Sequence, residues 1–212
     1  MTEIDQEEKA NRAALRAEQR AGKNLRKRLL WMSLAFGILL LDQLSKWAVT
    51  EMIFRPRIEG QNGVNFFEWY INTPNALSGI YIKITSFFNL VMAWNTGVSF
   101  SMFSNSGEYM KYILIAVALG ITTLFSAWLW HTKKHSEGIC YALIIGGALG
   151  NVIDRARFGA VIDFLDFHVM GYHWPAFNVA DMAVVIGVTL LVITSLFFDL
   201  ERKGRYRKQR IN

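Results

Sequence analysis

Apolar residues in this chain gather into four long runs instead of short periodic patches. Leu29–Trp47 is apolar apart from Asp42, Lys46 and a few small polar residues, and Tyr112–Trp130 carries no charge. Gly138–Ile153 is uncharged and rich in small residues, while Phe177–Phe198 has one charge, Asp181. A helix rising 1.5 Å per residue needs ~20 residues to cross ~30 Å of hydrocarbon, so each run suffices or nearly so. The pattern predicts an all-α integral membrane fold of four transmembrane helices, at about 29–50, 110–130, 138–154 and 177–199.

The stretches between the runs read differently. Residues 1–28 alternate acids, bases and alanines without an apolar stripe, so a polar helix and a mobile arm are equally compatible with them. Residues 51–108 form one large extramembrane segment. Its aromatic and β-branched stretches, Asn65–Ile71 and Ile80–Met92, predict two or three short strands at the membrane surface, a small β-rich segment between helices 1 and 2. Phe66, Phe67, Trp69 and Tyr70 suit an interface. Asn89, Asn95, Gly97 and several serines argue against a fifth span within Phe87–Phe103. Residues 155–176 are a second loop, on the same side, and 201–212 a basic tail.

Charge sets the orientation. Sixteen Lys and Arg flank one side, in the arm, the 131–138 connection and the tail, against six across the two larger loops. Lys and Arg accumulate on the cytoplasmic side, so both termini are expected inside and loops 51–108 and 155–176 outside. The net charge of +6 is placed beside the spans, where anionic lipid is a simpler partner than nucleic acid. Run one lies behind a long charged arm and lacks a small-x-small site after it, so it is expected to remain as a span. The lone Cys140 excludes an internal disulfide.

A carboxylate in hydrocarbon costs a few kcal/mol or more and marks function by default. Asp42, Asp154 and Asp181 lie in or beside spans, Asp163 lies in the second loop, and the orientation gathers all four at the outer leaflet. Two close carboxylates, such as Asp163 with Asp181, hold one proton between them and suit peptide hydrolysis through a shared water, with no metal and no nucleophilic side chain. The alternative is that the aspartates cap helices and pair with Arg155 and Arg157. Asn151 precedes Asp154 by three and Asn178 precedes Asp181 by three, which puts each pair on one helix face, and Asp42 shares a face with Lys46. Gly146, Gly147 and Gly150 permit close helix approach.

Other chemistries are weaker. His131 and His135 flank cytoplasmic lysines without an acidic partner, so no zinc site is expected, and nothing marks His168 or His173 as ligands. Ser45 and Lys46 are adjacent and point about 100° apart on a helix. Gly97–Ser101 lacks the second glycine of a nucleophile elbow. Cys140 lies within the third run, and its nearest histidine, His135, flanks the cytoplasmic lysines.

Five blocks in order resemble the lipoprotein signal peptidase (signal peptidase II) family: Asp42-Gln-Leu-Ser-Lys46; Phe87–Val91 followed by Asn95–Phe100; Gly146–Arg155; Val161-Ile-Asp-Phe164; and Pro175–Asp181. The resemblance covers roughly residues 30–200. It implies an inner-membrane aspartyl endopeptidase that acts as a monomer without a cofactor or metal. Its substrates would be diacylglyceryl-modified prolipoproteins, held among membrane lipid and cut before the lipidated cysteine. It implies Asp163 and Asp181 as the catalytic pair, a choice that spacing leaves open. Asp42, Lys46, Asn95, Gly97, Asn151, Asp154, Arg155, Asn178 and Ala180 match family positions as supporting or substrate-positioning residues. The chain departs from the family in its longer arm and in an insertion near 57–84. The competing readings are a small proton- or ion-coupled transporter relaying through Asp42, Lys46 and Asp181, and a non-catalytic scaffold. Carboxylates confined to the outer half favour a cleavage site over a relay.

Overall fold

The computed structural model describes residues 3–72, 77, 79–97 and 107–209. Helix α1 (Glu3–Trp47) runs through the polar arm into the first span and ends in a π-helical turn, Ala48–Phe54, and a 3-10 turn, Arg55–Arg57. After it come α2 (Phe66–Asn72), β1 (Tyr81–Lys83), β2 (Phe88–Asn95), α3 (Gly107–His131) and α4 (His135–Phe158). The chain closes with β3 (Val161–Val169), β4 (Tyr172–His173) and α5 (Val179–Gln209). Four helical segments are long and apolar enough to cross a membrane: Ala21–Arg57, Tyr109–His131, His135–Phe158 and Val179–Leu196. Val98–Phe100, which complete the second motif block, lie outside the described residues, as do 101–106 of the first loop and 210–212 of the tail.

Helix α4 is the centre of the bundle, and α1, α3 and α5 pack around it. Its glycines permit this. A Cβ on Gly146 would lie 2.4 Å from the Ala35 carbonyl oxygen of α1, and one on Gly147 2.4 Å from the Ala180 carbonyl oxygen of α5. Outward-facing Leu30, Phe36, Leu41, Val117, Trp128, Val185 and Leu196 are exposed, as a lipid-facing surface requires. Trp31, Ala35, Leu129, Tyr141, Ala142 and Ile145 form the core of one end. A second core, with Phe54, Trp69, Leu77, Met92, Ile162 and Phe164, packs at the other end, beside the sheet.

That sheet corrects the expected strands in two respects. The aromatic stretch Asn65–Ile71 is helical, not extended: the Glu68 N–H donates to Asn65 Oδ1 at 3.0 Å and Asn65 Nδ2 donates to Glu68 Oε2 at 3.4 Å, a reciprocal cap that starts α2. Burying Trp69 and donating from Arg157 Nη2 to its carbonyl, at 2.6 Å, then fixes α2 against α4. The sheet also draws half its strands from the second loop. Its order is β1-β2-β3-β4, antiparallel throughout.

A register shift in β2 between Leu90 and Ala93 decides which residues face the site. Leu90 pairs with Leu165 and Ala93 with Asp163, so three steps on β2 answer two on β3. Asn89 and Asn95 would share a face in a regular strand; the extra residue turns Asn95 to the opposite one. Asn89 accordingly donates to Asp166 on one face at 2.7 Å, and Asn95 to Asp163 on the other at 3.0 Å.

Candidate active site

Asp163 lies on β3 five residues beyond the end of α4. Gly159 ends α4 in the left-handed conformation (φ 76°), its N–H donating to the Arg155 carbonyl at 3.0 Å, and turns the chain directly into the strand. Asp181 lies in the first turn of α5, which Asn178 starts: the Asp181 N–H donates to Asn178 Oδ1 at 2.9 Å, and the Asn178 N–H to Asp181 Oδ2 at 3.3 Å. This reciprocal cap forces Asn178 and Asp181 together.

Asparagine amides link the two acids. Asn178 Nδ2 donates to Asp163 Oδ1 at 2.7 Å and approaches Asn151 Oδ1 at 3.3 Å, while Asn151 Nδ2 donates to Asp181 Oδ1 at 2.8 Å. Asn95 Nδ2 holds the other Asp163 oxygen, and its own Oδ1 accepts from the Gly97 N–H at 2.8 Å. Gly97 has φ 78° and a position where a Cβ would strike Leu114, two reasons for glycine there. Asn151 departs from the expected partner. It bonds Asp181 on another helix, and Asp154 one turn away faces elsewhere.

Asp163 is 2% exposed, and its carboxyl is pushed from the ordinary 3.8 up to about 7, first by burial and then by the charge of Asp181. The asparagine bonds oppose the rise without cancelling it. Arg155 lies near enough to feel Asp181, Asp163 and Asp154, but among the described residues neither Arg155 nor Arg157 forms an ion pair with an aspartate. Arg157 instead stacks on Trp69, Tyr70 and Phe158 at 4.2–4.6 Å.

Behind the pair is a fully buried ionic triad. Lys46 Nζ reaches Asp42 Oδ2 and Asp154 Oδ2, both at 2.7 Å. The remaining oxygen of Asp42 accepts from the Ala180 N–H at 3.0 Å, and Asp154 Oδ2 accepts from the Ile162 N–H at 3.1 Å. Ala180 and Ile162 immediately precede Asp181 and Asp163, so one ammonium ties together the two backbone segments that carry them. The sequence reading missed Gln43, whose Nε2 donates to Asp154 Oδ1 at 2.9 Å and Asp42 Oδ2 at 3.1 Å. Its signal was available, a long polar side chain beside Asp42 in an apolar run. It also missed Asp166, which Asn89 and His173 hold on the far face of β3 (His173 Nδ1 to Oδ1, 2.8 Å). Burial raises the Asp166 carboxyl, but the hydrogen bonds from Asn89 and His173 outweigh it and hold the group below its ordinary 3.8.

An apolar groove of about 750 Å³ opens beside Asp181, between the sheet (Phe88, Leu165, Phe167) and α5 (Met182, Val185, Ile186). Among the described residues no group of three or more His, Cys, Asp or Glu gathers in a metal-binding arrangement.

Four membrane-length helices carry a small antiparallel sheet beside buried acids, the architecture of a multi-pass membrane protein. Two solved structures of bacterial membrane enzymes share the fold. One has a TM-score of 0.60 at 22% identity, over 82% of this chain and 91% of that one; the other has 0.58 at 24%, over 79% and 92%. The sequence model of the family described as signal peptidase (SPase) II matches residues 34–197. Lipoprotein signal peptidases of Ralstonia nicotianae and Xylella fastidiosa are similar to it at 40% and 38% identity, over 78% and 80% of this chain and 83% and 89% of those proteins. The Serratia marcescens lipoprotein signal peptidase is 42% identical over 61% of this chain and 75% of that protein. This chain belongs to the signal peptidase II family.

Proposed function

We propose that the chain is an aspartyl endopeptidase that removes signal peptides from diacylglyceryl-modified prolipoproteins, cutting before the lipidated cysteine, with Asp163 and Asp181 as the catalytic pair. The observation that carries this reading is the amide of Asn178, which bonds Asp163 and contacts Asn151, itself bonded to Asp181. Asp163, neutral up to about pH 7, is the acid, and Asp181 is the base. Asp181 takes a proton from a water as its oxygen attacks the scissile carbonyl, and Asp163 gives its proton to the carbonyl oxygen. As the tetrahedral intermediate collapses and the C–N bond breaks, Asp181 gives its proton to the leaving amine and Asp163 takes one back from the hydroxyl that becomes the new carboxyl group. Asn95 and Asn151 hold the carboxylates in place, with Gly97 shaping the loop beside Asn95. Lys46, Asp42 and Asp154 set the spacing through Ala180 and Ile162, and Arg155 supplies positive charge above the pair. No cofactor or metal takes part.

The apolar groove favours a lipidated substrate, since one wall is the lipid-facing side of α5. The enzyme works as a monomer in the bacterial inner membrane, both termini inside and the acids at the outer leaflet. Cleavage of a lipidated lipobox peptide by reconstituted protein tests this. Asp163→Asn and Asp181→Asn should each abolish nearly all turnover, and the double variant should lose little more, because the two act as a unit. Asp154→Asn should be less severe, and the unlipidated peptide should be cut poorly. Near-normal cleavage by Asp163→Asn, with Asp154→Asn inactive, would sink the assignment.

A further inference from the structure

The hairpin joining β3 to β4 is two-faced. Its pairings, His168 with His173 and Val169 with Tyr172, put Asp166, His168 and His173 on one side and Phe167, Val169, Tyr172 and Trp174 on the other. The polar side is tied inward, His173 to Asp166 at 2.8 Å and His168 stacked on His173 at 4.9 Å. The apolar side has little to touch: Val169 is 68% exposed, Tyr172 85% and Trp174 70%. At the tip Met170 is 95% exposed at φ 49°, followed by Gly171 at φ 83°. That turn geometry ordinarily takes Asn, Asp or Gly, yet it holds an apolar side chain.

The groove fixes the height of this hairpin. Phe167 and Trp174 share its wall with Val185 and Ile186, which lie within the membrane-length segment Val179–Leu196. Val185 is six residues past the start of α5, ~9 Å along its axis at 1.5 Å per residue. A hairpin reaching that level, apolar on one face, polar on the other and carrying Trp and Tyr, has the make-up of an interfacial element. We infer that the β3–β4 hairpin is a membrane anchor, its Met170 tip and its Val169, Tyr172 and Trp174 face lying in the hydrocarbon edge of the leaflet at the Val179 end of α5. The occupant of this surface is bulk lipid. The inference rests on the spans and not on the proteolytic reading.

The test is depth measurement on the full chain in phosphatidylethanolamine–phosphatidylglycerol vesicles. An environment-sensitive fluorophore is placed at Met170→Cys in a Cys140→Ala background, with Val185→Cys as lipid reference and Arg16→Cys as water reference. A second label at Val169→Cys repeats the measurement one position away. Lipid carrying a shallow nitroxide should quench Met170→Cys about as strongly as Val185→Cys, with blue-shifted emission, while aqueous iodide should quench only Arg16→Cys. Adding Tyr172→Asp, which charges the apolar face, should weaken the nitroxide quenching at position 170. Iodide quenching at 170 and 169 would overturn the inference in favour of a water-exposed tip. Protection from both quenchers would overturn it in favour of contact with a second copy. Neither result depends on whether the protein cleaves anything.

Discussion

Replacing Asp163 by Asn separates the electrostatic cost of the site from its hydrogen bonding. In the fold this carboxyl is raised from 3.8 to about 7, so between those values the native chain binds a proton that the unfolded chain has released. Stability contributed by that proton is fully present below about pH 4 and is lost as pH rises to about 7. At 1.36 kcal/mol per unit the loss is at most ~4 kcal/mol. Asn has no such slope, but its amide offers one acceptor to two donors, Asn95 Nδ2 and Asn178 Nδ2. Leaving one donor unmatched costs ~1–3 kcal/mol. The variant should therefore melt below the wild type near pH 4 and above it beyond pH 7, by a few degrees at ~2–4 °C per kcal/mol. The crossing should fall near pH ~4.5–6, where the two effects balance. Thermal melts of both proteins in detergent from pH 4 to 9 measure the difference, and a cleavage assay on the same samples should find the more stable protein inactive. Parallel melting curves across this range would show that Asp163 does not titrate there, and would remove it as the acid.

The Lys46-centred triad gives a second expectation. Lys46→Met leaves two fully buried carboxylates without their cation and should cost ~3–5 kcal/mol, seen as poor insertion or a large fall in melting temperature; adding Asp154→Asn should restore part of the stability, and no restoration would count against the charge argument. Gly147→Ala places a methyl 2.4 Å from the Ala180 carbonyl, so α5 must move and carry Asp181 with it; turnover should fall further than the same change at Gly37, which has open space around its Cα. Finally, the excess of Lys and Arg on one side predicts that a cysteine at position 62 reacts with an impermeant reagent in intact cells and one at 134 only after permeabilisation; the reverse would move the acids to the cytoplasmic leaflet.

The sequence by itself determined the four membrane-length helices, because apolar transfer and intrahelical hydrogen bonds depend on neighbours along the chain. It also determined that Asn178 meets Asp181 and Lys46 meets Asp42, since residues three and four apart share a helix face. The blocks around Asp42, Asn95, Asp154, Asp163 and Asp181 were legible as motifs, whereas their mutual geometry was not. Only the tertiary structure sent Asn151 to Asp181 instead of Asp154, and brought Lys46 of α1 to Asp154 of α4. It alone turned Asn95 towards Asp163, through a register shift that a strict alternation of faces does not contain. It also made Asn65–Ile71 a helix, because a local cap and the burial of Trp69 beside Arg157 outweighed the β-leaning composition. Apart from that local cap, the deciding contacts join segments far apart in the chain. Such contacts exist only after the glycines of α4 let α1 and α5 close around it, and no local pattern of residue types records them.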